Sequence, residues 1–110
     1  MKCIVRPYFG EGALRFAAKF RWKMKYGGNM RGFFLVTLPR FGNDLLEIYS
    51  FRMLNKRYYR LYPPLIVGVA KGYDEAVNTA RRIVEETWRS TGGFDVKGYI
   101  MSVRGPEASE

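Results

Sequence analysis

The chain has no histidine and one cysteine, Cys3, in 110 residues. Without imidazole there is no Ser-His-Asp or Cys-His nucleophile. There is also no side chain with an ordinary pKa near neutrality, and the commonest transition-metal ligand is missing. One thiol cannot close a disulfide within the chain or hold a zinc or iron–sulfur site alone, and it suits a reducing compartment. Long apolar runs are also absent. The longest, residues 33–36 and 65–70, have the length of strands, well short of the roughly 20 residues that span a bilayer. Residues 1–30 interleave charged with apolar residues, unlike a secretory leader, so the expected location is the cytoplasm.

These absences leave carboxylate, lysine, tyrosine and arginine chemistry. Asp74/Glu75 and Glu85/Glu86 are adjacent acids, but neighbouring residues on a helix do not face one another and form no shared-proton pair. The chain therefore reads as non-enzymatic, with no catalytic residue, no metal ligands and no cofactor.

What is present is enough for one small folded domain: 47% of residues are apolar and 16% aromatic. The formal charge is +9, from 19 Lys/Arg against 10 Asp/Glu, an excess that points to anionic partners such as nucleic acid. Its distribution is uneven. Residues 1–29 hold seven basic residues and one acid, Glu11, while residues 30–110 hold 12 basic and nine acidic residues.

The first segment fits no single template. Along residues 14–26 apolar and basic residues nearly alternate, as in a strand. On a helix, Leu14, Ala18, Trp22 and Tyr26 would share one face, with Phe16, Phe20 and Met24 on another. The stretch Phe20 to Tyr26 reads as a basic-aromatic arm for nucleic acid or an anionic membrane surface. Against that, Tyr26-Gly27-Gly28-Asn29-Met30 back-translates with permitted codons to a GGAGG-like element just before ATG. The expectation is therefore a basic segment 1–29 that is untranslated or disordered, with translation from Met30. A single domain over residues 30–104 and a disordered tail over 105–110 complete the division.

From Met30 onward, residues 33–38 read as a strand stopped by Pro39, residues 40–44 as a loop, and residues 45–53 as a second strand. Residues 55–62 are ambiguous between a short helix and an irregular edge, and Pro63-Pro64 punctuates before a strand at 65–70. Residues 73–90 place Tyr73, Ala76, Val77, Ala80, Ile83, Val84, Thr87 and Trp88 on one helical face. Arg81 with Glu85, Arg82 with Glu86 and Glu85 with Arg89 have the spacing of opposite-charge pairs, and Gly92-Gly93 supplies the stop. Residues 94–103 read as the last strand. The expected fold is α+β: a small mixed four-stranded sheet with one main amphipathic helix, in the order β-β-β-α-β, like half of a ferredoxin-like fold. Strand, helix and strand at its end predict a parallel βαβ unit.

Two candidate sites follow. In residues 49–62, Tyr49, Tyr58, Tyr59 and Tyr62, with Phe51, interleave with Arg52, Lys56, Arg57 and Arg60. Exposed rings stack on unpaired bases while cations neutralise phosphates, the combination that single-stranded nucleic-acid binders use. The same residue types anchor protein interfaces, so a protein partner or homo-oligomer is the alternative. The bland alternative is that the rings pack under the sheet. The second candidate is the Gly68 to Gly72 turn between a strand and a helix, where Lys71 and Gly72 are candidate phosphate contacts for a small ligand or a small enzyme. It matches neither a P-loop nor a dinucleotide fingerprint.

Three stretches carry a resemblance: Phe33-Phe34-Leu35-Val36-Thr37-Leu38-Pro39, Val67-Gly68-Val69-Ala70-Lys71-Gly72-Tyr73-Asp74-Glu75-Ala76 and Thr91-Gly92-Gly93-Phe94-Asp95-Val96. On these, residues 30–102 resemble short uncharacterised proteins of Firmicutes. The resemblance leaves out residues 1–29 and implies a bacterial cytosolic protein, without an activity or a catalytic residue.

Overall fold

The computed structural model of the chain describes residues 2–39, 46–54 and 56–106. Four segments form strands: β1 (Lys2–Phe9), β2 (Phe33–Thr37), β3 (Glu47–Ser50) and β4 (Leu65–Lys71). A 3₁₀ turn at Leu14–Phe16 leads into α1 (Ala17–Tyr26), and α2 (Phe51–Leu54), α3 (Arg57–Leu61), α4 (Tyr73–Thr91) and α5 (Val96–Val103) follow. The strands make one mixed sheet in the order β1-β4-β2-β3. β4 pairs parallel with β1, placing Cys3 opposite Ile66, and antiparallel with β2, placing Leu35 opposite Val69. β2 pairs antiparallel with β3, and there Leu35 faces Tyr49.

The pleat divides the core in two, because successive side chains in a strand point to opposite faces. On one face Ile4, Tyr8, Val36 and Val67 meet Ala76 and Ile83 of α4 and Val96 and Ile100 of α5. On the other, Leu35, Ile66 and Val69 meet Phe20 of α1 and Phe51 and Leu54 of α2, with Tyr59 of α3 packed against them. β4 is buried from Ile66 to Ala70, which is why its sequence is a continuous apolar run with no alternation.

The α+β class and the four-stranded mixed sheet hold, but the order of elements differs from the expected one. The fourth strand is β1, drawn from the segment that the sequence sets apart from the domain. Pro7 hides it: proline cannot donate to a ladder and is confined to edges and bulges. β1 is both, an edge strand whose register with β4 shifts between Cys3 and Tyr8. The C-terminal segment lines its outer side, where Val5 N–H donates to Pro106 O at 3.0 Å. α1 follows the helical projection: Phe20 is buried with Phe16 and Met24 partly so, while Leu14, Ala18, Trp22 and Tyr26 face solvent.

Residues 94–103 are a correction, since they form a helix. The Asp95 carboxylate accepts from Gly98 N–H at 3.1 Å and so caps the first turn of α5. Val96 and Ile100, one turn apart, then enter the core. The parallel partner of β4 is consequently β1, and among the described residues no strand follows α4. The second predicted strand is also shortened: from Phe51 the chain is helical, and Phe51 and Leu54 are buried as a helical pair. The loop residues 40–44 and Leu45, Asn55, and tail residues 107–110 lie outside the described residues.

α4 runs as expected, closed by Gly92 in the left-handed region (φ 73°) with its N–H on Trp88 O at 2.8 Å. Thr79 and Thr87 enter its buried stripe because their hydroxyls bond back to the carbonyls of Glu75 and Ile83, each at 2.8 Å. The three expected charge pairs on α4 are not within ion-pair distance. Arg82 instead lies over the Tyr8 ring, 5.1 Å from its centroid. Helices cover both faces of the sheet, against the one main helix across a face that the sequence predicts.

One buried group is poorly served. The Thr37 hydroxyl, at the end of β2, has no hydrogen-bond partner among the described residues. Replacing it with an isosteric methyl removes a desolvated polar atom without opening a cavity. Thr37→Val should leave stability unchanged or raise it by about 1 kcal/mol in urea unfolding. A loss of that size would mean the hydroxyl is satisfied.

Candidate nucleic-acid interface

α1, α2 and α3 form one layer over one face of the sheet, joined by edge-to-face rings: Phe20 lies 6.2 Å from Phe9 and 6.3 Å from Phe51. The four tyrosines of residues 49–62 make a continuous chain of rings. Centroids are 5.2 Å apart for Tyr49 and Tyr59, 5.1 Å for Tyr58 and Tyr59, and 5.6 Å for Tyr58 and Tyr62. The chain runs from inside to outside. Tyr49 and Tyr59 are half-buried against the core, whereas Tyr58 is 56% and Tyr62 53% exposed. The inner pair packs against the core and supports the outer pair, whose rings face solvent. Arg52, Lys56 and Arg57 are exposed beside them, and the side chain of Arg60 lies outside the described residues.

α1 adds a second aromatic-basic cluster to the same layer. Trp22 and Tyr26 stand 5.2 Å apart, and Lys23 Nζ and Lys25 Nζ each sit 5.4 Å from a ring centroid, over Trp22 and Tyr26 respectively. Both rings are more than half exposed. Residues 14–26 and 51–62 together hold nine basic residues and no acid: Arg15, Lys19, Arg21, Lys23 and Lys25, then Arg52, Lys56, Arg57 and Arg60. The opposite layer, residues 73–103, has four basic and five acidic residues. The positive charge of the chain is thus concentrated on one side of its sheet.

At the Gly68 to Gly72 turn, the amides that would cradle a phosphate are occupied from within. The Glu75 carboxylate accepts from Gly12 N–H at 2.6 Å and from Lys71 N–H at 2.5 Å. This also accounts for Gly10 and Gly12, since a Cβ at either would come within 2.5 or 2.8 Å of the Glu75 side chain. Gly72 donates its N–H to Gly32 O at 2.8 Å, and Lys71 Nζ lies 5.3 Å from the Phe16 ring centroid. A phosphate entering the turn would meet a fixed carboxylate. The turn is an internal anion nest, with α4 supplying the anion.

A third constellation joins residues too far apart in sequence for spacing to suggest it. On the α4–α5 side, the Tyr8 hydroxyl donates a short hydrogen bond to Glu86 Oε2, and the Tyr99 hydroxyl donates to the same oxygen at 3.3 Å. The Arg104 guanidinium covers the Tyr8 ring at 3.8 Å. Tyr8 is fully buried, so this cluster ties α4 and α5 to β1 and gives substrate no access to its phenol.

Among the described residues no group of three or more His, Cys, Asp or Glu side chains could hold a metal, and no helix is long and apolar enough to cross a membrane. No protein-family model, curated protein or solved structure matches the chain.

Burial pushes the Cys3 thiol up to about 12, which leaves it unreactive near neutrality. It also raises the phenol of Tyr8 to about 12, aided by the hydrogen bond to Glu86, and that of Tyr49 to about 12, aided by the charge of Glu47. All three are raised above the ordinary values of 9.0 and 10.0, so the unfolded chain ionises first as pH rises. Their contribution to stability is complete below about pH 9 and declines toward about pH 12. Urea midpoints should therefore fall between about pH 9 and about pH 12, less steeply for Tyr8→Phe. A midpoint constant over that range would contradict the assignment. Glu75→Ala strands two backbone donors and should cost on the order of 2–3 kcal/mol in the same assay. An unchanged midpoint would mean the nest is not closed in solution.

Proposed function

We propose that this chain is a non-enzymatic module that binds single-stranded nucleic acid on the α1–α3 layer. The observation that carries the reading is the coincidence of exposed rings with a layer of nine basic residues and no acid. Base stacking needs a ring with a face in solvent, and Tyr58, Tyr62, Trp22 and Tyr26 are exposed. Phosphate tracking needs cations spaced along the path, and Arg52, Lys56 and Arg57 flank one ring cluster while Lys23 and Lys25 flank the other. The half-buried Tyr49 and Tyr59 serve as the platform that fixes Tyr58. A regulatory role through such binding, in the cytoplasm of a bacterium, fits the resemblance to short proteins of Firmicutes and the single unreactive thiol.

The test is binding of the whole chain to random single-stranded RNA and DNA oligonucleotides over a range of salt. Affinity should fall steeply with salt, and removing one phosphate-contacting cation, as in Arg57→Ala or Lys25→Ala, should lower the log–log slope by about 0.7. Tyr58→Ala combined with Tyr62→Ala should weaken binding by about 1–3 kcal/mol per stacked base. Tyr59→Ala is the poorer probe because it also disturbs the core. Salt-insensitive binding, or full affinity in a folded Tyr58/Tyr62 double variant, would sink the reading and favour a protein partner for these rings.

A further inference from the structure

The side of the molecule away from that layer carries an exposed aromatic pair. The rings of Trp88, near the end of α4, and Phe94, just before α5, stack with centroids 5.0 Å apart and planes at 19°. Yet Trp88 is 51% and Phe94 54% exposed. Together with Val84, Glu85 and Arg89 they line an open depression of about 340 Å³. Stacking fixes the shape of this surface while leaving much of its apolar area in water, which is the form of an interface hot spot.

The charges at its rim indicate what covers it. Glu85 and Arg89 lie one turn apart on α4, both exposed, and neither has an ion-pair partner among the described residues. One acid and one base give the groove no net charge, which suits neither a polyanion nor a strongly charged protein. They are instead complementary to themselves. If two α4 helices pack antiparallel about a two-fold axis between positions 85 and 89, each Glu85 meets Arg89 of the other copy. A two-fold interface uses the same patch twice in this reciprocal way.

We propose that this groove is the interface of a homodimer, with Trp88 of each copy seated against Val84 and Phe94 of the other. The dimer rests on α4 and the start of α5 and leaves both α1–α3 layers facing outward. It is independent of what those layers bind.

The experiment is sedimentation velocity of the full chain over a range of concentrations, with circular dichroism to confirm that each variant is folded. The wild type should show a monomer–dimer equilibrium. E85R and R89E each set like charges against one another across the axis, and each alone should self-associate about tenfold or more weakly. An equimolar mixture of the two should dimerise at wild-type strength, because every reversed position then faces an opposite charge in the heterodimer. Trp88→Ser should abolish dimerisation in all of these backgrounds. A wild type that stays monomeric throughout would overturn the proposal and leave the groove to a different protein. So would a dimer indifferent to both reversals, or a mixture no stronger than either variant alone.

Discussion

The structure depends on one strand that must be dry on both faces. β4 is buried without interruption from Ile66 to Ala70, with β1 on one side and β2 on the other. A strand in that position cannot be served by a single helix, because whichever face is left open exposes a full row of apolar side chains to water. The chain meets the requirement with two helical layers, α4 and α5 against one face and α1 to α3 against the other. That is why the basic first quarter is built into the fold: it supplies the strand that closes one side of β4 and the helix that covers part of one face.

Two layers create two surfaces of different chemistry. Residues 14–26 and 51–62 contain no acid, while residues 73–103 are near balance. The acids of the balanced side are partly spent on the fold. The Glu75 carboxylate ties α4 to backbone amides of Lys71 and of the turn after β1, and the Glu86 carboxylate takes two tyrosine hydroxyls, from β1 and α5. Neither is available to repel or attract a partner, which leaves Glu85 and Arg89 to set the character of the groove beside Trp88. The same arrangement fills the strand-to-helix turn with an anion from the chain itself, the Glu75 carboxylate.

What the sequence discloses depends on whether the determining contacts are local. β2, β4 and α4 are legible because an apolar run or a 3.6-residue stripe is local information. α5 is misread because Val96, Tyr99, Ile100 and Val103 are as typical of a strand as of a helix. The deciding signal is the short side chain of Asp95 on the amide of Gly98, three residues on. β1 is obscured by Pro7, which a bulged edge tolerates and a central strand would not. The aromatic-basic character of residues 49–62 is plain in sequence, but which tyrosines are walls and which are faces follows only from the packing of Tyr49 and Tyr59 against Phe51 and Leu54. The Tyr8, Glu86 and Tyr99 cluster could not be read at all, because its members meet only after the sheet and α5 are in place.

The proposed nucleic-acid binding rests on the acid-free layer of α1 to α3. The most direct test is amide chemical-shift mapping of the whole chain during titration with a short single-stranded oligonucleotide. Shifts should be confined to residues 14–26 and 51–62, with α4 and α5 unaffected. Shifts centred on residues 84–94, or none anywhere at saturating oligonucleotide, would contradict it.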